Sequence, residues 1–176
     1  MLLRAEDLFR ITIDSNSVFP LNLCFELIDD SHPAFQGPGI YFMYYKTELV
    51  YIGFFYPKQK NRDVRKERML KEIAGITMRG KQVTMNATSN KALDQSVHLQ
   101  NIPRRPQGDF LTSPKRVKFA DKNWSEFQND NFLKDFSFYW FKEDKTLGRT
   151  RDELKEVTKQ LFNFYKPTCN GKIFKN

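Results

Sequence analysis

A predicted β-hairpin limits the folds open to this chain more than any other segment. It is bracketed by two tripeptides: Gly-Ile-Tyr, which ends at Tyr41, and Tyr-Ile-Gly, which begins at Tyr51. Residues 39–45 and 49–53 are rich in β-branched and aromatic side chains, and a short polar break at 46–48 separates them, which predicts two antiparallel strands and a tight loop. Buried tyrosine hydroxyl groups need a hydrogen-bond partner or solvent. The two tyrosines are therefore candidates to line a polar surface together, the alternative being that each bridges core and solvent.

The composition indicates one folded domain that is not embedded in a membrane. The chain has 176 residues, of which 15% are aromatic, including 17 Phe, and this content favours a packed interior. The mean hydropathy is -0.63 and 28% of the residues are charged, which argues against a membrane protein. The N-terminal residues lack the apolar run of a signal peptide, so an intracellular location is expected. Cys24 and Cys169 are predicted to be reduced, and no zinc site is indicated.

The excess of basic residues indicates a polyanionic partner. The chain has 29 Lys and Arg against 21 Asp and Glu, a net charge of +8. Residues 58–81 contain nine basic residues against three acidic ones, and 104–118 contain five against one. Two such clusters predict a footprint on a phosphate backbone, the alternative being a solvated helix face and a loop. The candidate nucleic-acid-binding residues are Arg62, Arg65, Arg79, Lys81, Arg104, Arg105, Lys115, Arg116 and Lys118.

The rest of the chain predicts an α+β fold for a single domain over 1–176. Its sheet is expected to be small, mainly antiparallel and three-stranded, with helices on its flanks. Residues 1–36 are predicted to form an N-terminal extension. Residues from about 82 to 118 contain three prolines and show little periodicity, so a basic loop insertion is expected there.

Three further elements follow from the hydrophobic periodicity. An amphipathic helix is predicted at 64–78, the third strand at 131–141, and a final helix from Thr150 to Tyr165. The apolar stripe of the final helix consists of Leu154, Val157, Leu161, Phe164 and Tyr165.

The chain has both tripeptides, followed by a basic helix, a strand, a final helix and a Pro-x-x-Asn tail at 167–170. This combination resembles the GIY-YIG nuclease family. The resemblance covers residues 37–81 and 134–170. It implies a metal-dependent endonuclease that hydrolyses DNA phosphodiester bonds, with duplex DNA as partner and Mg²⁺ or Mn²⁺ as cofactor. It leaves open whether the chain acts as a monomer or a homodimer.

The resemblance also implies roles for individual residues. Tyr41 matches the tyrosine that deprotonates the attacking water, and Tyr51 matches the one that positions the scissile phosphate or supports the first. Arg68 matches the family's arginine, whose guanidinium can meet the charge on the phosphate oxygens with two hydrogen bonds. Arg62 and Arg65 are the runners-up for this role. The positions expected to shape the site are Gly39, Gly53 and Asn170. Gly53 matches the glycine that lets the chain pass close to the substrate, since it has no Cβ.

Two positions depart from the family pattern. Restriction-type members have a histidine four residues after the arginine, where this chain has Glu72. The family's metal-binding glutamate falls on Thr158, which is expected beside Tyr41 and Arg68, and a hydroxyl group is a poor substitute because Mg²⁺ prefers anionic oxygen. The metal would then be held by a displaced carboxylate, Glu72 or Glu156, or catalysis has been lost.

Three functions therefore stay open. The first is the metal-dependent endonuclease, and the second is a catalytically inactive nucleic-acid-binding module on the same fold. The third is a protein-interaction or inhibitor role, in which the basic surface meets an acidic partner protein.

Overall fold

The computed structural model describes residues 1–13, 23–29, 32–79, 83–84, 87–102, 110–111, 113–129, 131–143 and 148–170. Within these residues the strands are β1 (Leu2–Arg4), β2 (Phe9–Ile13), β3 (Leu23–Leu27), β4 (Gly39–Tyr45), β5 (Glu48–Phe55), β6 (Val83–Thr84), β7 (Phe110–Leu111) and β8 (Phe136–Lys142). The α-helices are α1 (Ala5–Leu8), α2 (Leu70–Thr77), α3 (Ala87–Asp94), α4 (Pro114–Lys122), α5 (Trp124–Phe127) and α6 (Arg151–Tyr165). A π-helical turn, Arg65–Met69, leads into α2, and 3₁₀ turns lie at Pro33–Phe35 and Phe132–Asp135.

The main sheet has the strand order β1-β8-β4-β5, and all neighbouring strands are antiparallel. β4 and β5 form the predicted hairpin, in which Tyr41 pairs with Gly53, and β8 pairs with the other edge of β4. The predicted α+β class with a mainly antiparallel sheet is confirmed. The sheet has four strands rather than the three predicted, because β1 pairs with β8. A strand of three residues is too short to show an alternating pattern.

Two smaller sheets lie outside the main one. β2 and β3 pair antiparallel, with Phe9 opposite Leu27 and Ile13 opposite Leu23. β6 and β7 pair parallel over two residues. In the described part of the chain, no helix is long and apolar enough to cross a membrane.

The segment predicted as a basic loop, 82–118, contains helical structure. It includes all of α3 and the first residues of α4. Ser113 caps α4 by accepting a hydrogen bond from the backbone N–H of Arg116, and Pro114 occupies the first turn. The polar composition concealed both helices, because each buries only a few side chains, such as Leu93 in α3 and Val117 in α4.

The two faces of the main sheet are covered by different helices. Tyr41, Met43 and Tyr51 share a buried cluster with residues of α2 and α4, such as Ile73 and Val117. Alternate residues point to the other face, where a second cluster joins Ile40 and Ile52 to Leu154 of α6. The sheet therefore separates the tyrosines from α6.

The final helix agrees with the prediction except in its last turn. Thr150 caps α6, because its side chain accepts from the backbone N–H of Glu153 while Glu153 accepts from the Thr150 backbone. Within the predicted apolar stripe, Leu154 is buried, but Phe164 is 79% exposed and Tyr165 is 51% exposed. The last turn lies beyond the buried cluster that the helix forms with β4 and β5.

Candidate functional site

Tyr41 and Tyr51 lie side by side on the α2 side of the main sheet. Their ring centroids are 6.0 Å apart and their planes are inclined by 30°. Tyr41 is only 1% exposed and Tyr51 only 8%. The structure thus brings the two rings together as expected, but it places them inside the protein and not on an open polar surface.

Gly53 makes this arrangement possible through the absence of a side chain. An added Cβ would lie 2.5 Å from both Cζ and the hydroxyl oxygen of Tyr41, and 2.8 Å from Cε1 of Tyr51. Real Cβ atoms do not make such contacts. The ring of Tyr41 therefore fills the space that a side chain at Gly53, its cross-strand partner, would need. The expected close approach is that of the substrate to this glycine, but in the structure the group that approaches it is a tyrosine of the same chain.

We expect Gly53→Ala to lower the free energy of unfolding by about 1–3 kcal/mol, because the added methyl group overpacks the site. Urea denaturation of the two proteins measures this difference. In a Tyr41→Leu background the ring is absent, and the same glycine substitution should cost much less. An equal cost in both backgrounds would contradict the close approach of Tyr41 to Gly53.

Glu72 of α2 is the group on which the tyrosines converge. The hydroxyl of Tyr41 donates to its Oε1 at 3.4 Å, and the Glu72 carboxylate lies close enough to Tyr51 to raise the pKa of that phenol. Nη2 of Arg116, from α4, donates to its Oε2 at 2.5 Å, and the Arg116 guanidinium lies 4.9 Å from the centre of the Tyr51 ring. These four residues, Tyr41, Tyr51, Glu72 and Arg116, are all buried and are called the Glu72 cluster below.

The surroundings keep both phenols protonated. Burial raises the pKa of Tyr41 well above its ordinary value, and the charge of Glu72 raises it further. The pKa of Tyr51 is raised by the same two causes, with burial the larger. Burial lowers the pKa of Arg116, but the nearby Glu72 carboxylate more than offsets this, so that its pKa is raised. Arg116 therefore remains a cation, and both phenols stay protonated.

Arg68 lies at the edge of this cluster. It is exposed on the π-helical turn before α2, and its charge acts to lower the pKa of both tyrosines, against the effect of burial. The family resemblance implies a site with Tyr41, Tyr51 and Arg68. In the structure the two tyrosines lie beside Glu72, and Arg68 is close enough to act on the pKa of both phenols. The structure adds Arg116, which the sequence predicts only as a nucleic-acid-binding residue.

Three of the predicted nucleic-acid-binding arginines are buried. Arg65 donates to Asp63 at 2.8 Å and to Asp29 at 2.6 Å, and its guanidinium lies over the ring of Phe35. Arg79 donates to the backbone carbonyl of Phe127. With Arg116 bound to Glu72, these three arginines hold the fold together and are not part of an exposed phosphate-binding surface.

Other predicted cations are exposed. Arg62 is exposed, and its Nη1 lies 3.3 Å from Oε1 of Glu67. Lys115 and Lys118 are exposed on α4, which packs against α2. Lys81, Arg104 and Arg105 lie outside the described residues. Arg68 lies on the turn that leads into α2, and the two lysines lie on α4; the Glu72–Arg116 ion pair joins α2 to α4. The three exposed cations Arg68, Lys115 and Lys118 are called the basic surface below.

The position of the family's metal-binding glutamate lies on the far side of the sheet. Thr158 is buried on α6, where its hydroxyl donates to the backbone carbonyl of Leu154 at 2.8 Å. Its expected position beside Tyr41 is therefore wrong, since α6 packs on the opposite face. Glu156, the other candidate ligand on α6, is exposed and lies 3.7 Å from Lys159.

The Glu72 cluster does not fit a divalent cation in this arrangement. Each oxygen of Glu72 already has a partner, and one partner is a buried guanidinium whose charge would repel a metal ion. Among the described residues, no group of three or more His, Cys, Asp and Glu side chains is placed to hold a metal ion. Glu72 and Glu156, the predicted displaced ligands, are separated by the sheet.

Gly39 and Asn170 have structural roles. A Cβ at Gly39 would lie 2.4 Å from the carbonyl oxygen of Phe141, so the glycine allows β4 and β8 to pair closely. Asn170 is fully buried, and its side chain accepts from the backbone N–H of Ile52 and donates to the carbonyl of the same residue, both at 2.8 Å. The tail before it also bonds to β5, through Cys169 and Val50. This tail completes the outer edge of the hairpin.

Comparison with known proteins adds no relative: no protein-family model, curated protein or solved structure matches the chain.

Proposed function

We propose that the chain is a DNA-binding domain of GIY-YIG type, which holds the duplex backbone through the basic surface and does not cleave it. The observation that carries this proposal is the Glu72–Arg116 ion pair, which fixes α4 against α2. Arg68, on the turn that leads into α2, and the exposed lysines of α4 are thereby held on neighbouring helical elements. Contacts between exposed cations and phosphates release counterions, and this release drives binding that depends strongly on salt.

The chemistry of the Glu72 cluster supports binding without hydrolysis. A hydrolytic site needs a base for the attacking water and a cation that the developing charge can reach. Here both tyrosines are held in the protonated form, and the carboxylate is neutralised by Arg116. All four side chains are also buried, so a phosphate does not reach them in this arrangement.

A metal-dependent endonuclease is the second candidate. Tyr41 and Tyr51 lie beside one carboxylate, with Arg68 near them, and this favours the endonuclease because the family resemblance assigns the two tyrosines and the arginine to its site. Arg68 would then meet the charge of the scissile phosphate with its guanidinium.

One plasmid experiment separates the two candidates. Supercoiled DNA is incubated with the protein in Mg²⁺, in Mn²⁺ and in EDTA, and is then analysed on gels with and without removal of the protein. We expect the protein to retard the DNA in all three conditions and to leave it unnicked. Nicking that requires a metal and is abolished by Tyr41→Phe would establish the endonuclease instead, and failure to retard the DNA at low salt would contradict both candidates.

A further inference from the structure

The face of the main sheet opposite the Glu72 cluster is only partly covered. α6 contacts β5 and, less extensively, β4, where it buries Ile40 and Ile52. Farther along this face, on β4 and β8, the exposed side chains are mostly aromatic. Five rings form what is called the aromatic face below: Phe42, Tyr44, Tyr139, Phe141 and Tyr165.

The rings of the aromatic face are ordered by contacts with one another. Phe42 and Phe141 meet edge to face at 5.6 Å, and Tyr44 and Tyr139 do the same at 5.7 Å. Tyr139 and Phe141, two residues apart on β8, lie nearly parallel, with 14° between their planes. Phe141 is nevertheless 53% exposed and Tyr139 is 37% exposed. Exposed apolar groups concentrated in this way mark an interaction site.

We propose that the aromatic face binds single-stranded nucleic acid by stacking its unpaired bases on Tyr139 and Phe141. Exposed aromatic rings on a sheet are suited to this task, because every base has a π face and each stacked base contributes about 1–3 kcal/mol. The ligand is defined by its unpaired bases, so single-stranded DNA and RNA are both admitted. This site lies on the other side of the sheet from the Glu72 cluster and does not depend on duplex binding.

The chemistry of the surroundings favours bases on an anionic backbone over an apolar protein segment. The face is built of rings, with Leu2 as its one aliphatic contributor among the described lining residues. Those lining residues include Lys46 and no Asp or Glu, although Lys46 also bonds to Glu126 at 2.5 Å. Arg4 of β1 pairs with Ser137, two residues before Tyr139; its side chain is 70% exposed, and its Nη1 lies 3.9 Å from Oε1 of Glu6. A cation at the edge of exposed rings suits a phosphate backbone.

The experiment is fluorescence anisotropy with labelled oligo(dT) and oligo(U) of roughly a dozen nucleotides. The test variant, Tyr139→Leu with Phe141→Leu, keeps apolar area but has no rings. We expect it to bind both oligonucleotides about 10- to 100-fold more weakly than the wild type, which corresponds to about 1.4–2.8 kcal/mol. The matched control, Tyr139→Phe with Phe141→Trp, keeps the rings and should bind within a few-fold of the wild type.

Several outcomes would overturn this proposal. One is equal binding by the ring-free and wild-type proteins, and another is that the wild type binds neither oligonucleotide. A third is a wild-type dimer in sedimentation that Phe141→Lys dissociates, because the face would then bind a second copy of the chain. A variant with Arg68, Lys115 and Lys118 all changed to Gln separates this site from the basic surface. In that background the ring-free change should still weaken oligonucleotide binding by the same factor. This result does not depend on whether the wild type binds duplex DNA.

Discussion

Replacing Arg116 by Met should lower the free energy of unfolding by about 3–5 kcal/mol, since it leaves a buried carboxylate without its cation. Glu72 is 8% exposed, and without Arg116 it keeps the neutral phenol of Tyr41 as a side-chain partner, with the Tyr51 phenol nearby. A phenol can donate a hydrogen bond but cannot compensate the charge. Urea denaturation followed by tryptophan fluorescence measures the loss, because Trp124 and Trp140 are both buried in the same core.

Two further variants make this result specific to the ion pair. In the double variant Glu72→Gln with Arg116→Met neither charge remains, so we expect most of the lost stability to return. Lys115→Met is the matched control, because the neighbouring side chain is exposed, and it should change stability by no more than about 0.5 kcal/mol. An Arg116→Met variant as stable as Lys115→Met would contradict the buried pair.

The hairpin could be predicted from the sequence because its information is local. Alternation assigned Tyr41 and Met43 to one face and Ile40 and Phe42 to the other, and the structure has these two faces. The family resemblance also implied a close approach at Gly53, by the substrate. The group that approaches Gly53 in the structure is instead the Tyr41 ring from the neighbouring strand, which could not be predicted.

The partner of Glu72 could not be found from the sequence. Arg116 is 44 residues away, in a segment whose polar composition concealed its helices. One signal was available, since Ser113 followed by Pro114 is a typical helix start. Even so, a helix start does not reveal which carboxylate a later arginine will contact.

Thr158 shows a different limit of sequence reasoning. In the structure this residue is buried on the side of the final helix that faces the sheet. A helix wheel gives the buried side of a helix, but it carries no information on which face of the sheet the helix covers. The expected proximity of Thr158 to Tyr41 failed for that reason alone.

The basic surface carries the proposed function, and its neutralisation should have the largest effect on binding. Changing Arg68, Lys115 and Lys118 to Gln removes three exposed cations from the two helical elements joined by the Glu72–Arg116 pair. Each cation that neutralises a phosphate contributes about 0.9 to the slope of log K against log salt concentration. The control variant changes Lys134, Arg151 and Lys159 to Gln, which removes the same net charge from residues outside the basic surface.

The most direct test is therefore the salt dependence of duplex DNA binding by the wild type and these two variants, measured between about 50 and 200 mM salt. We expect a steep slope for the wild type, a slope smaller by about 2.7 for the basic-surface variant, and nearly the wild-type slope for the control. If the two variants have the same slope, the duplex does not bind at Arg68, Lys115 and Lys118, and the proposed function is wrong.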